Sequence, residues 1–98
     1  MTARTITEDE VLQGLRSGII RIEDEYADGG VIARIGDNWF YFAGQEGENM
    51  TAAEYLANVP EEDIACKISE VLGDFQDDDE DEWLYYRYFI DEELTRLA

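Results

Sequence analysis

The chain has 98 residues, 25 Asp and Glu against 7 Lys and Arg, a net charge of −18 and no histidine. Its 45% apolar and 12% aromatic content is far above that of a disordered acidic tail, and a single domain of this length buries about 60 to 70% of the surface its unfolded form exposes. The charge argues against a nucleic-acid binder, because there is no basic patch to release counterions from phosphate, and against docking on an anionic membrane.

One cysteine, Cys66, cannot form an intramolecular disulfide, the start of the chain has no cationic segment followed by an apolar one, and the hydrophobic runs are too short to span a bilayer. These features predict a protein of a reducing cytoplasm. Asn49-Met50-Thr51 matches a glycosylation sequon, which carries no meaning without secretion.

In chain order, Thr7 with Glu10 makes a capping box and Ile6 with Val11 a hydrophobic staple, so a helix is expected over about 8–17, ending at Gly18. From Ile19 to Tyr26 the period changes to alternation, which predicts a strand. Ala27-Asp28-Gly29-Gly30 reads as a turn, 31–35 as a second strand, Gly36-Asp37-Asn38 as another turn and Trp39-Phe40-Tyr41-Phe42 as a third strand. That third strand is apolar on both faces, so helices should cover one side and leave the other partly exposed or lidded.

Residues 44–49 read as a flexible acidic loop. Thr51 with Glu54 then forms a second capping box for a short helix to about Asn58. Pro60 suits the first turn of a third helix, whose Ile64, Ile68, Val71, Leu72 and Phe75 recur at three- and four-residue spacing. After Phe75 comes an acidic stretch, and a last helix is expected from about Asp79 to Leu97, with Trp83, Tyr86, Ile90, Leu94 and Leu97 on its core face. The predicted fold is a single α+β domain: an N-terminal helix, a three-stranded antiparallel sheet, then two to three C-terminal helices packed on one face.

Catalysis is poorly supplied. Histidine, the usual acid or base near neutral pH, is absent. Cys66 lies within the stripe of the third helix and reads as an inert core or boundary thiol. The glycine pairs lack the lysine and the strand-to-helix setting of a phosphate loop. A calcium loop starting at Asp77 would need glycine sixth and glutamate twelfth, where Glu82 and Tyr88 stand. The sequence therefore predicts no enzyme, no cofactor and no specific metal site.

The acids themselves are the outstanding feature. From Glu70 to Glu93 there are eleven, and Arg87 is the only base among them. Asp79 as a cap and Glu82 at the third helical position account for a few, since acids stabilise a helix start by about 0.3 to 1 kcal/mol each. Packing the rest together works against folding through like-charge repulsion. Aromatics follow directly, and because Trp83, Tyr86 and Ile90 already supply a core face, Tyr85 and Tyr88 are expected at the surface as anchors. The expected partner-binding set is Glu70, Asp74, Asp77, Asp78, Asp79, Glu80, Asp81, Glu82, Tyr85 and Tyr88, facing a basic protein surface.

A helix, a three-stranded sheet and C-terminal helices in a strongly acidic chain, with Asp77 to Glu82 running into Trp83-Leu84-Tyr85-Tyr86, resembles the small phage-encoded anti-CRISPR inhibitors of Cas9 that act as DNA mimics. The chain also looks like small acidic accessory proteins of mobile elements, in phrases such as Asn38-Trp39-Phe40-Tyr41-Phe42 and Thr51-Ala52-Ala53-Glu54-Tyr55. The resemblance implies a non-enzymatic inhibitor that occupies the basic nucleic-acid-binding cleft of a CRISPR effector or another DNA-binding protein. The alternative is an acidic interaction or immunity-type module that binds a basic partner, such as a toxin, which does not itself bind DNA.

Overall fold

The computed structural model describes residues 5–24, 31–43 and 50–97 and gives the order α1 (Glu8–Ser17), β1 (Ile20–Asp24), β2 (Val31–Ile35), β3 (Asn38–Tyr41), α2 (Ala52–Asn58), α3 (Glu61–Asp78) and α4 (Glu80–Leu97). This is the α+β arrangement expected from the sequence. The expected turn at 27–30 and the acidic loop at 44–49 lie outside the described residues.

Local chemistry sets the helix starts. Thr7 Oγ1 accepts from the Glu10 amide at 3.2 Å while Glu10 Oε1 accepts from the Thr7 amide at 3.1 Å, and Thr51 with Glu54 repeats the box for α2. Asp24 at the end of β1 accepts from the Ala52 amide, which ties the sheet to the start of α2. Pro60 precedes α3 as its cap instead of lying within its first turn. Its extended backbone (ψ 145°) keeps it outside the helix, and its carbonyl accepts from Asp63 and Ile64.

The strands pair antiparallel in the order β1-β2-β3, with Ile20 opposite Ile35, Ile22 opposite Ala33 and Ala33 opposite Phe40. Alternation then assigns the faces. Ile20, Ile22, Val31, Ala33, Ile35, Phe40 and Phe42 join the core with the helices, while Arg21, Glu23, Ile32, Arg34, Trp39 and Tyr41 point the other way. Gly14 allows α1 to press onto this layer, because a Cβ there would lie 2.8 Å from Ile20 Cδ1.

Ile64, Ala65, Ile68 and Leu72 bury one stripe of α3, and Trp83, Tyr86 and Ile90 one stripe of α4. Phe40, Phe75 and Tyr86 meet with ring centroids 5.4 to 5.7 Å apart, joining β3 to both helices. Two sequence expectations change here. α3 continues past Phe75 to Asp78, so Asp77 and Asp78 are helical and only Asp79 separates the two long helices. Leu97, expected on the core face, is 60% exposed, because α4 runs a turn beyond Leu94, which still packs against the core.

Candidate partner-binding surface

On α3, Asp74 lies four residues after Glu70, and Asp77 and Asp78 lie three and four residues after Asp74, which puts them on one strip. All four are exposed, while the buried stripe of Ile64, Ile68 and Leu72 faces the core. From Glu70 to Asp78 the helix rises by about 12 Å, so the strip carries four carboxylates at a mean of about 4 Å per charge, against about 3.4 Å per phosphate of one DNA strand.

Asp79 interrupts the backbone with φ −146° and ψ 77°, and its Oδ1 accepts from the Glu82 amide at 3.4 Å. It therefore caps α4, as the sequence predicts. Glu80 and Asp81 are exposed in the first turn, and Glu82 accepts from the Tyr86 hydroxyl at 2.7 Å. Among the described residues, no Lys or Arg forms an ion pair with Glu70, Asp74 or any acid from Asp77 to Glu82. The whole ridge presents unneutralised charge.

The aromatic anchors divide. Tyr88 is 64% exposed and stands two helical turns along from Asp81, hence on the same side of α4. Tyr85 is half-buried: its ring stacks on Phe89 at 6.2 Å, and its hydroxyl accepts from the Asp37 amide at 3.0 Å above the tight turn at Gly36. It still lines a shallow cavity of about 540 Å³ together with Asp37, Trp39, Asp79, Asp81 and Glu82.

Sequence reasoning passed over Trp39 and Asp37, which the fold brings to the end of the acidic ridge. Trp39 is 44% exposed and meets Tyr41, 50% exposed, edge to face at 5.6 Å. The signal was present in the strand alternation, which sends Phe40 and Phe42 inward and leaves Trp39 and Tyr41 outward.

Arg87, the only base between Glu70 and Glu93, is buried. It donates to Glu10 of α1 from both terminal nitrogens, to Asp91, and to the Thr5 carbonyl at 3.3 Å. Desolvation alone would lower its pKa, but the hydrogen bonds to Glu10 and Asp91 outweigh it and hold the guanidinium above its usual range. Cys66 is half-buried on α3, its thiol pushed up by desolvation and then by Glu70.

Among the described residues, no group of three or more His, Cys, Asp or Glu is arranged to hold a metal ion, and no helix is long and apolar enough to cross a membrane. Comparison with protein-family models, curated proteins and solved structures finds no match.

Proposed function

We propose that the chain is a non-enzymatic inhibitor that mimics DNA charge and occupies the basic nucleic-acid-binding cleft of another protein, with a CRISPR effector as the leading target. The observation that carries this reading is where the acids stand. Asp77 and Asp78 occupy the last turn of α3, which holds no basic residue, and there the macrodipole disfavours each by about 0.3 to 1 kcal/mol. They continue a strip whose charge spacing approaches that of a phosphate backbone, and nothing among the described residues neutralises it. Carboxylates placed against folding and left unpaired are suited to the lysines and arginines of a partner, and a field of this sign steers such a partner into contact. Tyr88 and Trp39 flank the ridge as anchors.

The test is complex formation with a purified CRISPR effector, with and without excess duplex DNA. Competition by DNA, and loss of binding when Asp74, Asp77, Asp78 and Asp81 are changed to Asn, are the expected results. Undiminished binding of that variant would sink the mimic reading.

One observation favours a second reading. Two neighbouring exposed aromatics, Trp39 and Tyr41, suit the hydrophobic centre of an ordinary protein interface better than a phosphate mimic. On that reading the chain is an immunity-type module for a basic partner such as a toxin. Excess DNA would then leave the complex intact, and Trp39→Ala would weaken it more than any single acid change.

A further inference from the structure

β1 and β3 are the two edges of the sheet. Among the described residues, no backbone group outside the sheet bonds to β1. Beside this open edge lies a groove of about 420 Å³ between β1, the end of α1 and the turn from α2 into α3, floored by Leu15, Ile20, Ile22, Leu56, Val59 and Ile64. Leu56 is 50% exposed. Arg21, on the outward side of β1, is exposed and has no carboxylate partner among the described residues.

We infer that β1 pairs antiparallel with β1 of a second copy about a two-fold axis at Ile22, forming a dimer with one continuous six-stranded sheet. The strand reads Ile20-Arg21-Ile22-Glu23-Asp24, and with Ile22 opposite Ile22 of the partner, Arg21 falls opposite Glu23 and Ile20 opposite Asp24, so the symmetry makes two Arg21–Glu23 contacts. Glu23 is already held by Arg34 at 2.5 Å, so each carboxylate would lie between an arginine of its own chain and one of the other. Leu56 and the apolar floor of the groove lie alongside the added strand. Addition of a strand satisfies the open backbone groups of both copies.

Charge selects this edge over the other. Pairing through β3 would bring two sets of Asp37, Asp79, Asp81 and Glu82 together around Trp39, whereas on β1 Arg21 offsets one of Glu23 and Asp24, and Arg34 holds Glu23, so the β1 edge carries much less net negative charge. The inference is independent of the inhibitor reading, since it concerns a different surface and needs no partner protein.

Sedimentation equilibrium of the full chain tests it, at low salt and at about 0.15 M, where the Debye length falls to about 8 Å and the mutual repulsion of two highly acidic copies is screened. A mass that doubles with concentration, and more readily at the higher salt, is expected. Arg21→Glu replaces two attractive cross-strand pairs by two repulsive ones and should weaken the dimer by about tenfold or more. Adding Glu23→Arg in the same chain should restore it, and the replacement carboxylate at position 21 faces Arg34 directly across the β1–β2 ladder. Circular dichroism reports whether each variant folds. A monomer at every concentration, a dimer indifferent to Arg21→Glu, or a failure of the double variant to recover would each overturn the pairing. A dimer lost on Trp39→Ala but retained in Arg21→Glu would place the contact on β3 and overturn it equally.

Discussion

The guanidinium of Arg87 in the last helix grips the carboxylate of Glu10 in the first, across 77 positions of sequence. Glu10 Oε1 also accepts from the Thr7 amide and hydroxyl, so one carboxylate caps α1 and anchors α4. Arg87 is 2% exposed, but the carboxylates it holds keep some solvent, Glu10 at 16% and Asp91 at 42% exposure, so its loss costs less than the about 3 to 5 kcal/mol of breaking a fully buried pair. Arg87→Ala should therefore lose about 2 to 3 kcal/mol in urea unfolding. Arg87→Lys should recover little, because an ammonium cannot make the forked contact to Glu10 and Asp91 together.

Two buried tyrosines should respond in opposite ways to loss of the hydroxyl. Tyr86 donates to Glu82 at 2.7 Å, and Tyr86→Phe should cost about 0.5 to 1.5 kcal/mol at neutral pH. Tyr55 is fully buried with its hydroxyl unpartnered among the described residues, so Tyr55→Phe should be neutral or stabilising by about 1 kcal/mol.

Alkaline pH should reverse the first of these effects. Burial, and then the hydrogen bond to Glu82, push the Tyr86 phenol well above its ordinary value. A raised folded-state pKa gives stability that is complete below the unfolded value of about 10 and declines above it, as the unfolded chain releases a proton the folded chain retains. The gap between the parent and Tyr86→Phe should thus shrink and then invert above about pH 10, followed by denaturant midpoints at a series of pH values.

Gly36 and Gly18 offer a matched comparison. Both have positive φ, 66° and 85°, but a Cβ at Gly36 would run into the Tyr85 hydroxyl and the Phe89 ring, whereas nothing lies within 4 Å of one at Gly18. Gly18→Ala should cost about 1 kcal/mol through backbone strain alone. Gly36→Ala should cost clearly more and disturb the Tyr85 contact with Asp37, visible as a larger fall in Tm and a change in near-ultraviolet circular dichroism.

Much of the fold was legible because its determinants are local. Thr7 with Glu10 and Thr51 with Glu54 announce their helices within four residues, and the alternation of 20–24 announces the first strand. The two functions of Glu10 were not legible: a capping glutamate looks complete in sequence, and only the tertiary approach of α4 supplies Arg87. The same limit affected the aromatics. Helical spacing placed Tyr88 outward, but Tyr85 found an amide at Asp37 on a distant turn, and Trp39 reached the acidic ridge through strand order rather than through any neighbour in the chain. The end of α3 was misplaced because six consecutive acids from Asp77 read as a break, although the packing of Leu72 and Phe75 carries the helix on to Asp78.

Neutralising that helix end separates the requirements of folding from those of binding. Asp77 and Asp78 stand at the negative end of α3, directly before the acidic first turn of α4, with no base in that last turn. Changing both to Asn removes two unfavourable dipole interactions of about 0.3 to 1 kcal/mol each, together with part of the repulsion from Asp74, Asp81 and Glu82. The double variant should therefore be more stable by about 1 to 2 kcal/mol, which for a domain of this size raises Tm by about 4 to 16 °C. The gain should be largest at low salt and shrink as added salt screens the same charges in the parent. If the ridge serves a basic partner, the stabilised variant should bind it more weakly and associate more slowly. Thermal melts across a salt series, paired with association rates, read both quantities from the same samples. A variant no more stable than the parent would show that Asp77 and Asp78 impose no burden on folding, and would remove the main support for a functional role of the ridge.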